Sequence, residues 1–116
     1  MAATDCLFCK LVARDIKADI VYEDEHLLAF RDIHPQAPIH ILVIPKQHIA
    51  TLNDAIDEHA SLLGRMMLAA QAIARDMGVS ENGYRLVMNC NRDGGQAVFH
   101  IHLHLLAGRS LHWPPG

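Results

Sequence analysis

Hydrophobic and polar positions change period several times along the chain, and each change marks an element. Residues 6–14 (CLFCKLVAR) set Leu7, Leu11 and Val12 on one side and read as a short helix. Residues 19–24 and 27–32 alternate apolar and polar through Ile20, Tyr22, Leu28 and Phe30, with Asp24-Glu25-His26 between them, the pattern of a hairpin. The two prolines of residues 34–38 (HPQAP) dictate a loop. Residues 40–44 (HILVI) form a short apolar run stopped by Pro45 and predict a buried strand. Leu62, Met66, Ala69, Ile73 and Met77 recur at helical spacing, which predicts one long helix with Gly78 as its C-terminal cap. A strand over 84–89, a Gly-rich turn over 91–96 and a last long strand over 98–106 follow. Strands follow one another with few helices between them, so the fold class is α+β with a mainly antiparallel sheet. The terminal HWPPG cannot extend either element type, and Trp113, the only tryptophan, is expected to dock on something.

Composition narrows the picture. The length of 116 residues, half of them apolar, suits one domain over 1–116 with a real core. A net charge of −3 without a Lys/Arg run argues against nucleic acid as partner. No apolar run approaches the roughly 18 residues of a membrane span, and MAATDCLFCK lacks the apolar core of a signal peptide. Three cysteines, an odd and low count, point to the cytoplasm and to free or metal-bound thiols. Histidine is the outlier, with nine residues.

Three of those histidines, His100, His102 and His104, are spaced by two. On a strand they share one face, roughly 6.5–7 Å apart, while Phe99, Ile101, Leu103 and Leu105 take the other. Solvated decoration, metal binding, and nucleophilic or acid–base catalysis are the three readings of such a row. Imidazole titrates near neutral pH and serves the last of these in any role. Gly94-Gly95-Gln96 runs into the row, and glycines allow backbone N–H groups to converge on an oxyanion beside it.

The segment GGQAVFHIHLHLLAGR strongly resembles the signature of the histidine triad superfamily, with His100-Ile101-His102-Leu103-His104-Leu105-Leu106 as its core. Phe30-Arg31-Asp32-Ile33, Pro35-Gln36-Ala37-Pro38, HILVIPK over 40–46 and the terminal HWPPG resemble the nucleotide-binding branch of that superfamily. The resemblance implies a five-stranded sheet with one short and one long helix, extended across a two-fold homodimer. It implies an enzyme that splits the phosphorus–nitrogen bond of purine nucleoside monophosphate conjugates, without a catalytic cofactor. By that resemblance His102 is the nucleophile, forming a nucleotidyl-histidine intermediate. His104 contacts the phosphate, His100 supports the nucleophile, and His40 orients it from a neighbouring strand. Asp32 matches the ribose position, where a carboxylate accepts from both hydroxyls. Phe8, Leu11, Phe30 and Ile33 match the base pocket, and Asn89 with Gly95, Gln96 and Ala97 matches the phosphate contacts. The tail 108–116, through Trp113, belongs near the partner's site. One departure is Ala97, where many relatives carry serine.

Cys6 and Cys9 form a C-x-x-C pair, which by itself is a redox pair, half a metal site or chance. The resemblance implies a structural zinc held by Cys6, Cys9, His48 and His100, as in some bacterial members of the superfamily. Cys90 has no evident partner. Two further readings stay open: a dinucleoside polyphosphate hydrolase of the fragile-histidine type, and a nucleotide-binding or metal-binding protein without catalysis.

Overall fold

The computed structural model describes residues 5–116. A short helix α1 (Leu7–Val12) precedes the hairpin of β1 (Ile20–Glu23) and β2 (Leu27–Arg31). Then come β3 (Ile39–Pro45), the long helix α2 (Ala60–Asp76), β4 (Tyr84–Val87), a single helical turn α3 (Asn91–Gly94) and β5 (Leu103–Ala107). The sheet has five strands in the order β1-β2-β3-β5-β4, and every pairing is antiparallel. This is the α+β architecture that the sequence pattern and the resemblance both indicate.

Helices cover both faces of the sheet, and this corrects one detail of the pattern. Leu27, Leu28, Ala29 and Phe30 of β2 are all buried, so this strand does not alternate in and out of solvent. Leu27 and Ala29 join Ile41, Val43, Leu103 and Leu105 in the larger core, with Met66, Ala70 and Ile73 of α2. Leu28 and Phe30 face the other way, with Leu42 and Ile44, into a smaller core closed by Cys6, Phe8 and Leu11. Strands covered on both faces read as continuous apolar runs. Helix α1 is also rotated from the expected face: Phe8 and Leu11 are buried, and Leu7 is 45% exposed. The α1 face is chosen by the aromatic pocket beneath it, which helical spacing alone does not reveal. Helix α2 ends as expected, with Met77 as C-cap and Gly78 at φ +75°, a backbone region costly for other residues.

The last strand is shorter than its alternation suggests. Its ladder starts at Leu103, not at residue 98. The reason lies in β3, which ends at Pro45, a residue without an N–H to continue the ladder. Just upstream of Leu103 a backbone hydrogen bond replaces the ladder: the Ile101 N–H donates to the Ile49 carbonyl at 2.8 Å. The two-residue period nevertheless survives, with Ile101 in the α2-side core and the rings of His100 and His102 against Phe8.

Leu105 is fully buried at the centre of the larger core. Leu105→Ala is expected to lower the unfolding free energy by about 2–5 kcal/mol. Ile56→Ala, at a 57% exposed position, should stay within about 0.5 kcal/mol. Urea titration of both variants checks this, and equal effects would overturn the assignment of the core.

Candidate active site

Two neighbouring strands and the segment entering β5 assemble the histidines. His104 stands on β5, level with Leu42 of β3 and Val87 of β4. His40 stands on β3, and His102 and His100 on the extended segment just before β5. The rings of His102 and His104 are 4.9 Å apart, closer than the strand repeat, because the side chains lean together. Phe8 meets the His102 ring edge to face at 5.1 Å and 90°.

Hydrogen bonding fixes which nitrogen of each ring carries the proton. His102 Nδ1 lies 2.8 Å from the His100 carbonyl, which only accepts. His102 Nδ1 is therefore the protonated nitrogen, and Nε2 keeps a free lone pair. His40 Nδ1 accepts from the Gln36 backbone N–H at 3.0 Å, so His40 Nε2 carries the proton. That proton is donated to His104 Nδ1 at 2.9 Å. His104 in turn keeps an Nε2–H that is buried and has no partner among the described residues. Asp32, His40 and His104 are close enough for a metal. His40 Nε2 is nevertheless committed as a donor to His104 while Nδ1 accepts, so His40 and His104 form a hydrogen-bonded pair with the Asp32 carboxylate beside it. The second Asp32 oxygen lies 3.5 Å from His40 Nε2, and the first accepts the His34 N–H at 2.8 Å in an Asx turn.

Burial keeps these imidazoles neutral. It lowers the pKa of His102, against the opposing effects of the His100 carbonyl bond and of Asp32. It lowers His40 likewise, against Asp32. His104 is pushed down to about 4, by burial first and then by His102 and His40. A neutral imidazole with an unprotonated Nε2 is a competent nucleophile at neutral pH.

Beside the row lies a cavity of about 360 Å³ with mostly apolar walls. Phe8, Leu11, Phe30 and Ile33 line it together with Ala97, Val98, His102 and His104, and Asp32 is also in the wall. Ile33 is 85% exposed, so its side is open. Ile16, Lys17 and Ala18 also line this cavity. Sequence reading missed these three, because they follow α1 without motif or period. Not every expected residue reaches it: Asn89, Gly95, Gln96 and Trp113 are not in its wall. Gly95, at φ +84°, turns the chain between α3 and Ala97. The Gln96 amide donates to the Ala50 and Val98 carbonyls and accepts from the Asn91 N–H, so this side chain holds the loop together. Trp113 stands exposed on a tail anchored by Arg85, which donates to the His112 carbonyl at 2.8 Å. A second cavity of similar size near Gly83 and Gly108 has Arg109 as its charged lining group. That guanidinium is turned to the Gln36 and Ser110 carbonyls.

The fourth face of the site is a cluster of Cys6, Cys9, His48 and His100, whose donor atoms all lie within 4.8 Å of one another. Cys6 Sγ and His48 Nδ1 each stand 3.3 Å from His100 Nδ1. Cys9 Sγ is 3.3 Å from His48 Nδ1 and 3.5 Å from His100 Nδ1. A tetrahedral ion with zinc-like bond lengths has N–N edges of about 3.3 Å and N–S edges of about 3.5 Å. The donor set therefore fits such an ion. His100 Nε2 donates to the Pro45 carbonyl at 2.7 Å, which leaves Nδ1 as the ligating nitrogen. Sequence reading gave Pro45 only the role of stopping a strand.

Fold and site together define a small antiparallel α+β protein with a row of neutral imidazoles beside an apolar slot. A family model for the HIT domain matches residues 13–111, and the chain belongs to this family. It is 55% identical over 109 residues to the purine nucleoside phosphoramidase of Escherichia coli K12, covering 94% of this chain and 92% of that one. It is 59% identical to an uncharacterized HIT-like protein of Synechococcus elongatus, covering 97% of both. Among solved structures, a HIT family hydrolase from Legionella pneumophila superposes with a TM-score of 0.95 at 56% identity, covering 97% of this chain and all of that one.

The depressed histidine pKa has a consequence for stability. His104 titrates near 6.5 when unfolded and near 4 when folded. Between these values the unfolded chain binds more protons, so stability is full above about pH 6.5 and declines as pH falls towards about 4. Urea unfolding across that window should show the decline, with a shallower slope in His104→Gln. Identical slopes would mean that His104 is not held neutral by the fold.

Proposed function

We propose that this protein hydrolyses the phosphorus–nitrogen bond of purine nucleoside 5′-phosphoramidates through a nucleotidyl-histidine intermediate on His102. The observation that carries the reading is the tautomer of His102: its Nδ1–H is committed to the His100 carbonyl, and Nε2 is left with a lone pair in the wall of a nucleotide-sized slot. The name of the Escherichia coli relative agrees with this chemistry.

The apolar wall formed by Phe8, Leu11, Phe30 and Ile33 takes the base, and Asp32 takes the ribose hydroxyls. The α-phosphate then lies against His102 and His104. His102 Nε2 attacks phosphorus, the bond to the amine breaks, and the departing nitrogen takes up a proton from solvent, to which the attacking water later returns one. His104 Nε2–H, which has no partner among the described residues, donates to a phosphoryl oxygen, a bond that strengthens as charge builds there. His40, donating to His104 Nδ1, holds that ring in the donor tautomer. Water then attacks phosphorus, the bond to His102 Nε2 breaks, the proton is returned, and the nucleoside monophosphate leaves. Ala97 lines the slot with His102 and His104 and borders the phosphate, with Gly95 and Gln96 behind it in the loop. Asn89 lies on the chain leading into that loop.

We propose further that residues 1–116 are one HIT domain carrying a structural zinc on Cys6, Cys9, His48 and His100. The chemistry supplied there is cross-linking of α1 to the sheet; the reaction itself runs on imidazoles and water. The protein acts as a homodimer: β4 is an edge strand, and Met67 and Leu68 stand exposed on α2. In that dimer Trp113, exposed on the C-terminal tail, contacts the partner's site. The three cysteines are free thiols, which accords with a cytoplasmic protein.

The decisive assay is release of a fluorescent amine from an adenosine 5′-phosphoramidate. Wild type should turn over, and His102→Ala should lose about a thousandfold or more in rate while still binding AMP. A variant that keeps its rate would remove His102 from the nucleophile's place. Purified protein should carry one zinc per chain by atomic emission, and Cys6→Ser with Cys9→Ser should carry none. Metal-free wild type that takes up no added zinc would refute the metal site.

A further inference from the structure

Two residues join the cysteine–histidine cluster to the nucleotide slot, one from the cluster and one from the slot's wall, and each contacts the proposed nucleophile. The first is His100. Its ring nitrogen Nδ1 is a member of the cluster, and its carbonyl accepts the His102 Nδ1–H. The second is Phe8. It lies between Cys6 and Cys9 on a helix of six residues whose N-cap is Cys6. Its ring meets His102 at 5.1 Å and His100 at 6.0 Å, packs on Phe30 at 5.5 Å, and lines the slot. A helix of this length has little stability of its own. What fixes Phe8 is the smaller core around it and the two thiols on either side.

We infer that the Cys6–Cys9–His48–His100 cluster and the nucleotide site are one coupled unit, with Phe8 and His100 as the positioning residues that join them. The inference rests on the proposed nucleotide and zinc readings and adds that each occupant stabilises the site of the other. Closing the cluster seats Phe8 in the apolar wall of the slot and holds the His100 carbonyl where it selects the Nδ1–H tautomer of His102. Opening the cluster frees α1 and the His100 ring together. The nucleotide loses a wall, and the nucleophile loses the acceptor that fixes its tautomer. Coupling between two binding events is reciprocal, so a nucleotide in the slot retains the metal by the same factor.

The test uses the zinc-loaded full chain and reads metal release to a chromophoric chelator, with and without saturating AMP. AMP is expected to tighten zinc retention on the order of tenfold, and Phe8→Leu, still zinc-loaded, should erase most of that difference. A second readout follows the tautomer itself. In protein labelled with ¹⁵N-histidine, His102 should show a protonated Nδ1 with zinc bound and lose that single-tautomer signature when zinc is withdrawn below the melting temperature. A cluster that only adds stability would change the melting temperature and leave the tautomer untouched. Calorimetric titration with AMP separates the failures. If AMP binds and zinc retention and the His102 signature both stay unchanged, the coupling is wrong and the nucleotide reading stands. If AMP does not bind, the nucleotide reading fails and the coupling with it.

Discussion

The bond on which the site depends is the one from His102 Nδ1–H to the carbonyl two residues earlier. In a continued ladder the His100 carbonyl would face a neighbouring strand, as sheet carbonyls do. Here the ladder starts only at Leu103, because β3 has already ended at Pro45. The strand's late start leaves the carbonyl free to select a tautomer, and the Ile101–Ile49 bond keeps the segment extended enough for the alternation to persist. Pro45 acts twice: it terminates β3, and its carbonyl turns the His100 ring so that Nδ1 faces the cluster. A strand end, commonly the least informative part of a sheet, is here the place where backbone geometry becomes ring chemistry.

For a chain of net charge −3, the proposed phosphate site needs donors in place of charge. The imidazoles are neutral because they are buried, and a neutral ring donates from one nitrogen and accepts at the other. Gln36, His40 and His104 therefore form a directional series, each N–H pointing at the next acceptor and the last left unpartnered among the described residues. A buried donor without a partner is costly in an empty site. That cost is recovered when an anionic oxygen arrives, so the series is organised for its ligand before the ligand binds.

The sequence made some of this legible and hid the rest for physical reasons. Side-chain period depends on local geometry, so the α2 stripe and the Ile101–Leu105 alternation both announced themselves. The same alternation concealed where β5 begins, because an extended segment keeps a two-residue period with or without ladder partners. The α1 face was misjudged because six residues offer too few turns to fix a phase, and Phe8 is chosen by the aromatic rings beneath it. Ile16, Lys17 and Ala18 carry no motif and enter the slot only because the chain turns there. The union of Cys6 and Cys9 with His48 and His100 spans most of the chain and was reached through family resemblance, since spacing within C-x-x-C says nothing of a distant fourth ligand.

The two faces of the sheet do different work, and the difference follows from helix length. Helix α2 runs for 17 residues and anchors the larger core with five buried side chains. Burial on that scale holds a helix without further help. Helix α1 has six residues and buries two, too little to hold a segment against the entropy of ordering it. Yet α1 is the helix that supplies a wall of the slot. A short element can form a firm wall only if something other than its own apolar area holds it, and the thiols at both ends of its first turn are placed to do that. In the proposed reading the cysteines of α1 thus answer a shortage of core on the slot side of the sheet, where a longer helix would fill the cavity.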